Sequence, residues 1–135
     1  MKTQLRLFVA LSLVCCGFFS NGASASAQIC AAGLTLNGNA AANVLLGASN
    51  NDVIYGYGGN DTLRGGNCDD RLYGGNSHDI LQGGGGHDQL FGGNGNDTIY
   101  SGPGIDILDG GPGYDTCYGT TGYDIFFGCE EVILV

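Results

Sequence analysis

Apolar residues return at every ninth position along most of this chain. Leu45, Ile54, Leu63, Leu72, Leu81, Leu90, Ile99, Leu108, Cys117 and Phe126 follow one another at that spacing without an insertion or a deletion. Two residues before each stands Asn43 or an aspartate: Asp52, Asp61, Asp70, Asp79, Asp88, Asp97, Asp106, Asp115 and Asp124. Seven residues before each stands a glycine, from Gly38 to Gly119, with Ser101 as the exception. The frame runs from Gly38 to Phe127 as ten units of nine, so the glycine is position one, the aspartate position six and the apolar residue position eight.

Positions seven to nine, as in Thr98-Ile99-Tyr100, carry the β-branched, aliphatic and aromatic residues of a short strand. Strand alternation sends position eight to one face and positions seven and nine to the other. Glycines at positions one, two and four allow positive φ and a tight turn where side chains would clash. One strand per unit makes two strands per 18-residue coil and about five coils in 38–127. The predicted fold is all-β, a parallel β-roll: a two-sheet solenoid with position eight of both sheets facing a thin core.

Such a core is slender, and the same register stacks carboxylates of successive coils roughly 4.8 Å apart. Like charges at that distance oppose folding, so the pattern calls for cations between them. Nine of the 13 acidic residues fall on position six, which a merely solubilising charge distribution does not require. Composition alone, with 27 glycines in 135 residues, reads as disorder. The unbroken period argues for structure instead.

At the N-terminus, Lys2 and Arg6 precede the apolar run Leu7–Phe19, and Ala25-Ser26-Ala27 offers a cleavage site before Gln28. Residues 1–27 are predicted to be a cleaved secretory signal. The run of 13 is short of the about 20 residues that span a bilayer. Without that segment, Arg64 and Arg71 face 13 carboxylates, a net charge of −11, which excludes nucleic acid and anionic membrane surfaces as partners and makes membrane insertion unexpected. Export places the chain in the medium, the periplasm or at the cell surface, where disulfides form. Cys30, Cys68, Cys117 and Cys129 allow three full pairings, and the nearness of Cys117 to Cys129 favours that pair. Residues 28–37, with Leu34 and Leu36 alternating around Thr35, are predicted to be an N-terminal cap strand, and 128–135 a C-terminal cap.

Aspartate carboxylates and turn carbonyls are hard oxygen ligands that suit Ca²⁺ better than the smaller, more rigidly octahedral Mg²⁺. Gly83–Phe91 and Gly92–Tyr100 fit the pattern G-G-x-G-x-D-x-U-x at every position, U being a large apolar residue; Gly65–Tyr73 and Gly74–Gln82 depart at position four with Cys68 and Ser77. The unit resembles the repeats-in-toxin, or hemolysin-type, calcium-binding nonapeptide, whose fold is a parallel β-roll. The resemblance implies Ca²⁺ held between turns of consecutive coils by the position-six carboxylates, Asp52 to Asp124, and by turn carbonyls near Gly84, Gly86, Gly93, Gly95, Gly102, Gly104, Gly111 and Gly113. One edge would stack Asp52, Asp70, Asp88, Asp106 and Asp124, the other Asn43, Asp61, Asp79, Asp97 and Asp115. Gaps between aspartates then number about seven potential sites. Ala48, Asn50, Tyr57 and Thr120 replace turn glycines near the ends, where binding is expected to be weaker.

Position five places His78 and His87 on opposite edges, as exposed turn residues rather than a metal or catalytic pair. No H-E-x-x-H or G-x-S-x-G motif is present, and the chain is not expected to be an enzyme. The expected function is that of an exported, stand-alone β-roll that folds on binding Ca²⁺. The alternative is a non-enzymatic surface or adhesion module with a Ca²⁺-stabilised fold. It would use an outer aromatic stripe at position nine: Tyr55, Tyr73, Phe91, Tyr100, Tyr118 and Phe127.

Overall fold

A computed structural model describes residues 30, 32–121 and 123–135. The predicted signal segment and the first residues of the predicted N-terminal cap lie outside the described residues. Among the described residues all regular structure is strand, in twelve elements. These are β1 (Ala32–Asn39), β2 (Val44–Leu46), β3 (Asn51–Gly58), β4 (Thr62–Asn67), β5 (Arg71–Asn76), β6 (Ile80–Gly85), β7 (Gln89–Asn94), β8 (Thr98–Tyr100), β9 (Ile107–Asp109), β10 (Thr116–Gly119), β11 (Ile125–Phe127) and β12 (Glu131–Leu134). Odd-numbered strands form one six-stranded sheet in the order β1-β3-β5-β7-β9-β11, and even-numbered strands form the other. Every pairing is parallel. The ten units supply ten strands, the five coils expected of 38–127, and one further strand at each end brings the solenoid to six coils.

The register is the sequence period made visible. Ile54 lies opposite Leu72 and Leu72 opposite Leu90, 18 residues apart, while Leu63, Leu81 and Ile99 align in the second sheet. Position eight from Ile54 through Cys117 is fully buried in one cluster, with Leu36, Leu45, Phe126 and Cys129 partly buried at its ends. Each coil therefore adds two apolar side chains to a core that grows only along the solenoid axis.

Two expectations about the outer shape need correction. The strands do not stop at position nine: β4 to β7 run six residues, through positions one and two to position three. Gly75, for instance, pairs with Tyr57 on one side and Gly93 on the other. Nor is the aromatic row a single stripe, because successive units lie in opposite sheets. Tyr55, Tyr73 and Phe91 stack on one sheet with ring centroids 4.9 and 5.0 Å apart, while Tyr100 and Tyr118 stack on the other at 4.6 Å. Asp109 interrupts the first row before Phe127, since it takes position nine in β9 opposite Phe91.

Both ends are tied covalently. Cys117 and Cys129 form the disulfide favoured by their proximity, linking core to C-terminal turn. Cys30 bonds to Cys68, a pairing that the sequence alone left open, and anchors the N-terminal residues to a turn two coils along.

Candidate metal centre

Position six sits where a turn enters a strand, and the parallel register places each aspartate beside the one 18 residues away. Two stacks result, one on each edge, with the predicted membership. The link within a stack is a hydrogen bond. The backbone N–H of each aspartate donates to Oδ1 of the next: Asp52 to Asp70 at 2.7 Å, Asp70 to Asp88 at 2.8 Å, Asp88 to Asp106 at 2.8 Å and Asp106 to Asp124 at 3.0 Å. On the other edge Asn43 donates to Asp61, Asp61 to Asp79, Asp79 to Asp97 and Asp97 to Asp115, all at 2.7 or 2.8 Å.

The second oxygen has no such partner. Among the described residues, Oδ2 of Asp61, Asp70, Asp79, Asp88, Asp97, Asp106 and Asp115 is buried and accepts no hydrogen bond. An unsatisfied buried carboxylate oxygen carries a large desolvation penalty. Burial accordingly pushes the pKa of Asp79 and Asp88 up to about 7, and of Asp70 and Asp97 to about 6. The backbone N–H bond lowers each, and neighbouring carboxylates of the stack raise it further. Asp106 and Asp115 are raised for the same first reason. A proton or a cation has to supply what the protein does not.

The two terminal aspartates of the first stack differ. Asp52 Oδ2 accepts the Ala48 N–H at 2.7 Å, and Asp124 Oδ2 accepts the Thr120 N–H at 2.7 Å, with Ser101 Oγ at 3.0 Å. Ala48 and Thr120 are position-two residues that replace glycine, and their amides turn inward to the carboxylate. In interior units the position-two amide bonds across to the next coil instead, as Gly93 N–H does to the Gly110 carbonyl at 3.0 Å. At Ala48 and Thr120 the amide thus closes the carboxylate with a donor, whereas Tyr57, which also replaces a position-two glycine, keeps a positive φ and leaves Asp61 Oδ2 open.

Of the two roles expected of the glycines, position one serves the steric one and not positive φ. Gly92 is not among the positive-φ residues, which cluster at positions two and four: Gly93 (φ 103) and Gly95 (φ 138), and, where glycine is replaced, Tyr57 (φ 74), Cys68 (φ 80) and Ser77 (φ 84). What position one needs is space. A Cβ on Gly92 would stand 2.5 Å from Asp97 Oδ2 and 2.7 Å from the Gly110 carbonyl oxygen. Gly85, at position three, has only Asn67 Oδ1 nearby, at 3.7 Å from such a Cβ. Gly92→Ala is expected to cost about 3 kcal/mol in denaturant unfolding of the calcium-saturated protein, against about 0.5 kcal/mol or less for Gly85→Ala. Equal effects would show that the carboxylate niche does not constrain position one.

Position five forms a second ladder that runs in the opposite sense. His87 N–H donates to Asp69 Oδ1 at 2.8 Å, and His87 Nδ1 accepts the Ile105 N–H at 2.9 Å. His78 bridges Asn60 and Asn96 in the same way on the other edge. The histidines thus stay apart and exposed, and they act as turn acceptors. Among the described residues no three His, Cys, Asp or Glu side chains converge on a point. On each edge carboxylates arrive one per coil, so any ion between coils must complete its shell with carbonyl or water oxygens. That donor set, all oxygen with scattered carboxylates, fits Ca²⁺.

Glu130 was missed at the sequence level. Its Oε2 accepts the Asp115 N–H at 2.8 Å, continuing the stack beyond the last repeat. The nonapeptide frame puts Glu130 at position three, so no periodic signal could have found it.

The family model of the RTX calcium-binding nonapeptide repeat matches the chain in overlapping segments, 37–70, 46–81, 65–99, 73–108 and 91–126. Neither a curated protein nor a solved structure matches the chain.

Proposed function

Since this chain belongs to the RTX calcium-binding nonapeptide repeat family, we propose that it is an exported β-roll that binds several Ca²⁺ ions along its two aspartate stacks and folds as it binds them. The observation that carries the reading is the row of buried carboxylate oxygens without a donor. The proposed ligands are Asp61, Asp70, Asp79, Asp88, Asp97, Asp106 and Asp115, with Asp52 and Asp124 as weaker end members. Carbonyls of the intervening turns, near Gly84, Gly86, Gly93, Gly95, Gly102, Gly104, Gly111 and Gly113, complete the shells. Bound Ca²⁺ supplies the positive charge that offsets stacked carboxylates, and its binding energy then becomes folding energy.

Export rests on the N-terminal pattern of residues 1–27 and on two disulfides, which persist in an oxidising compartment. The proposal assigns no reaction to the chain. The adhesion reading gains little from the aromatic rows: Tyr55, Tyr73 and Phe91 lie nearly parallel, with 7° between ring planes, so their faces cover one another. Stacking on a sugar requires a ring face turned to solvent, which Tyr73, between two stacked rings, does not offer.

Equilibrium dialysis against Ca²⁺ tests the reading. Several ions per chain are expected, with Asp88→Asn and Asp97→Asn each reducing the count. Each variant keeps the Oδ1 acceptor and removes the charge, so a lower count reports on ligation. Wild-type protein that retains no Ca²⁺ at millimolar concentration would refute the proposal.

A further inference from the structure

We infer that Glu130 supplies the carboxylate of one more Ca²⁺ site, shared with Asp115 at the C-terminal end, and that the Cys117–Cys129 disulfide holds it in place. The inference rests on the reading of the aspartate stacks as calcium ligands, and it concerns a residue beyond segment 37–126 matched by the family. Strand register places Glu130 at the end of the stack. Along the repeats, residues 18 apart lie opposite each other, as Thr116 does to Thr98. At the last coil Thr116 lies opposite Glu131 instead, 15 residues on. The turn between β11 and β12 is therefore three residues shorter, and Glu130 directly precedes its strand, as Asp115 precedes β10. It occupies the place of a position-six aspartate that the frame would otherwise put at Ile133.

The hydrogen bonding agrees. Glu130 Oε2 accepts the Asp115 N–H at 2.8 Å, as Asp115 Oδ1 accepts the Asp97 N–H at 2.7 Å. Asp115 itself is fully buried, and its Oδ2 has no partner. That oxygen lies towards the short turn: a Cβ on Gly110 would stand 2.6 Å from it, and closer still to the carbonyl oxygen of Gly128, where the turn begins. The other stack ends in the opposite manner. Asp124 Oδ2 meets the Thr120 N–H and the hydroxyls of Thr120 and Ser101, donors that satisfy the carboxylate without a cation. One edge closes on donors; the other ends on a second carboxylate, exposed at Glu130, whose charge repels that of buried Asp115 and favours a cation between them.

The disulfide explains how a short turn keeps its glutamate in line. Cys129 precedes Glu130, and Cys117 lies two residues beyond Asp115 in the core. The bond thus joins the two segments that carry the two carboxylates.

Glu130→Gln tests the inference on the full, disulfide-intact chain, because glutamine keeps an oxygen for the Asp115 N–H and loses the charge. Equilibrium dialysis is expected to find one Ca²⁺ fewer per chain than in wild type, with unchanged circular dichroism in saturating Ca²⁺. An unchanged count and affinity overturn the inference. So does a variant that fails to fold in saturating Ca²⁺, which would make Glu130 a structural residue only. Absence of Ca²⁺ from the wild type is a different result and rejects the calcium reading as a whole. In a second arm, Cys129→Ser is expected to weaken the last site about tenfold while leaving the remaining ions bound; equal affinity there removes the disulfide from the proposal.

Discussion

Stripping Ca²⁺ from the purified protein is expected to abolish most of its β-sheet circular dichroism at pH 8, and restoring the ion is expected to bring it back. Oδ2 of seven aspartates between Asp61 and Asp115 is enclosed without a donor, and each carboxylate neighbours another in its stack. Removing the partner of a buried charge typically costs about 3–5 kcal/mol. Several such losses together exceed the about 5–15 kcal/mol of stability that a small domain possesses. The apolar core cannot compensate, because position eight contributes only one side chain per nine residues to it. Reversibility follows from the disulfides: Cys30–Cys68 and Cys117–Cys129 remain closed in the metal-free chain and limit its unfolded ensemble. A β signal that is the same before and after metal removal would sink the folding-on-binding proposal while leaving simple Ca²⁺ binding intact.

The fold was legible because one period carried three kinds of information at once. Position eight specified the core, position six the stacks, and nine residues per strand specified two parallel sheets. Ile54 through Cys117 lie where the pattern puts them, and the i to i+18 bonds of the aspartates are the same register seen in side chains. What the period could not carry was anything dependent on three-dimensional closeness within a unit. Gly92 looks like a turn residue, yet its lack of a side chain makes room for Asp97. The true left-handed sites include Tyr57, Cys68 and Ser77, where the pattern breaks and the backbone does not. A left-handed non-glycine residue costs on the order of 1–2 kcal/mol, which neighbouring coils with the same conformation evidently offset.

Other features lay outside the period altogether. Glu130 takes its place only because the last turn is three residues short, a fact of strand register rather than of motif. The pairing of Cys30 with Cys68 depends on where the N-terminal residues meet the first coils, and four cysteines alone leave that undetermined. The aromatic stripe divides between the sheets for the same kind of reason: units nine apart alternate sides, so Phe91 and Tyr100 belong to different faces. In this chain, repetition specifies the architecture, and departures from repetition specify its ends.

Acidification is expected to act in opposite directions on the metal-free and the calcium-loaded protein. In the metal-free fold, burial raises Asp79 and Asp88 from the ordinary 3.8 to about 7, and Asp70 and Asp97 to about 6. Asp106 and Asp115 move in the same direction. Between about pH 4 and pH 7 the folded state therefore binds more protons than the unfolded chain, and stability falls as pH rises through that window. Lowering the pH of metal-free protein from 8 to 5 should restore β structure, because a protonated carboxyl no longer presents an uncompensated charge. With Ca²⁺ present the same protons compete for the ligand oxygens, so the apparent affinity for Ca²⁺ should fall over the same range. Circular dichroism followed from pH 8 to pH 5, once in metal-stripped buffer and once at fixed Ca²⁺, reads both effects. A metal-free chain that gains no β structure between pH 8 and pH 5 would show that burial of charged carboxylates is not what holds it unfolded, and the electrostatic basis of the calcium requirement would go with it.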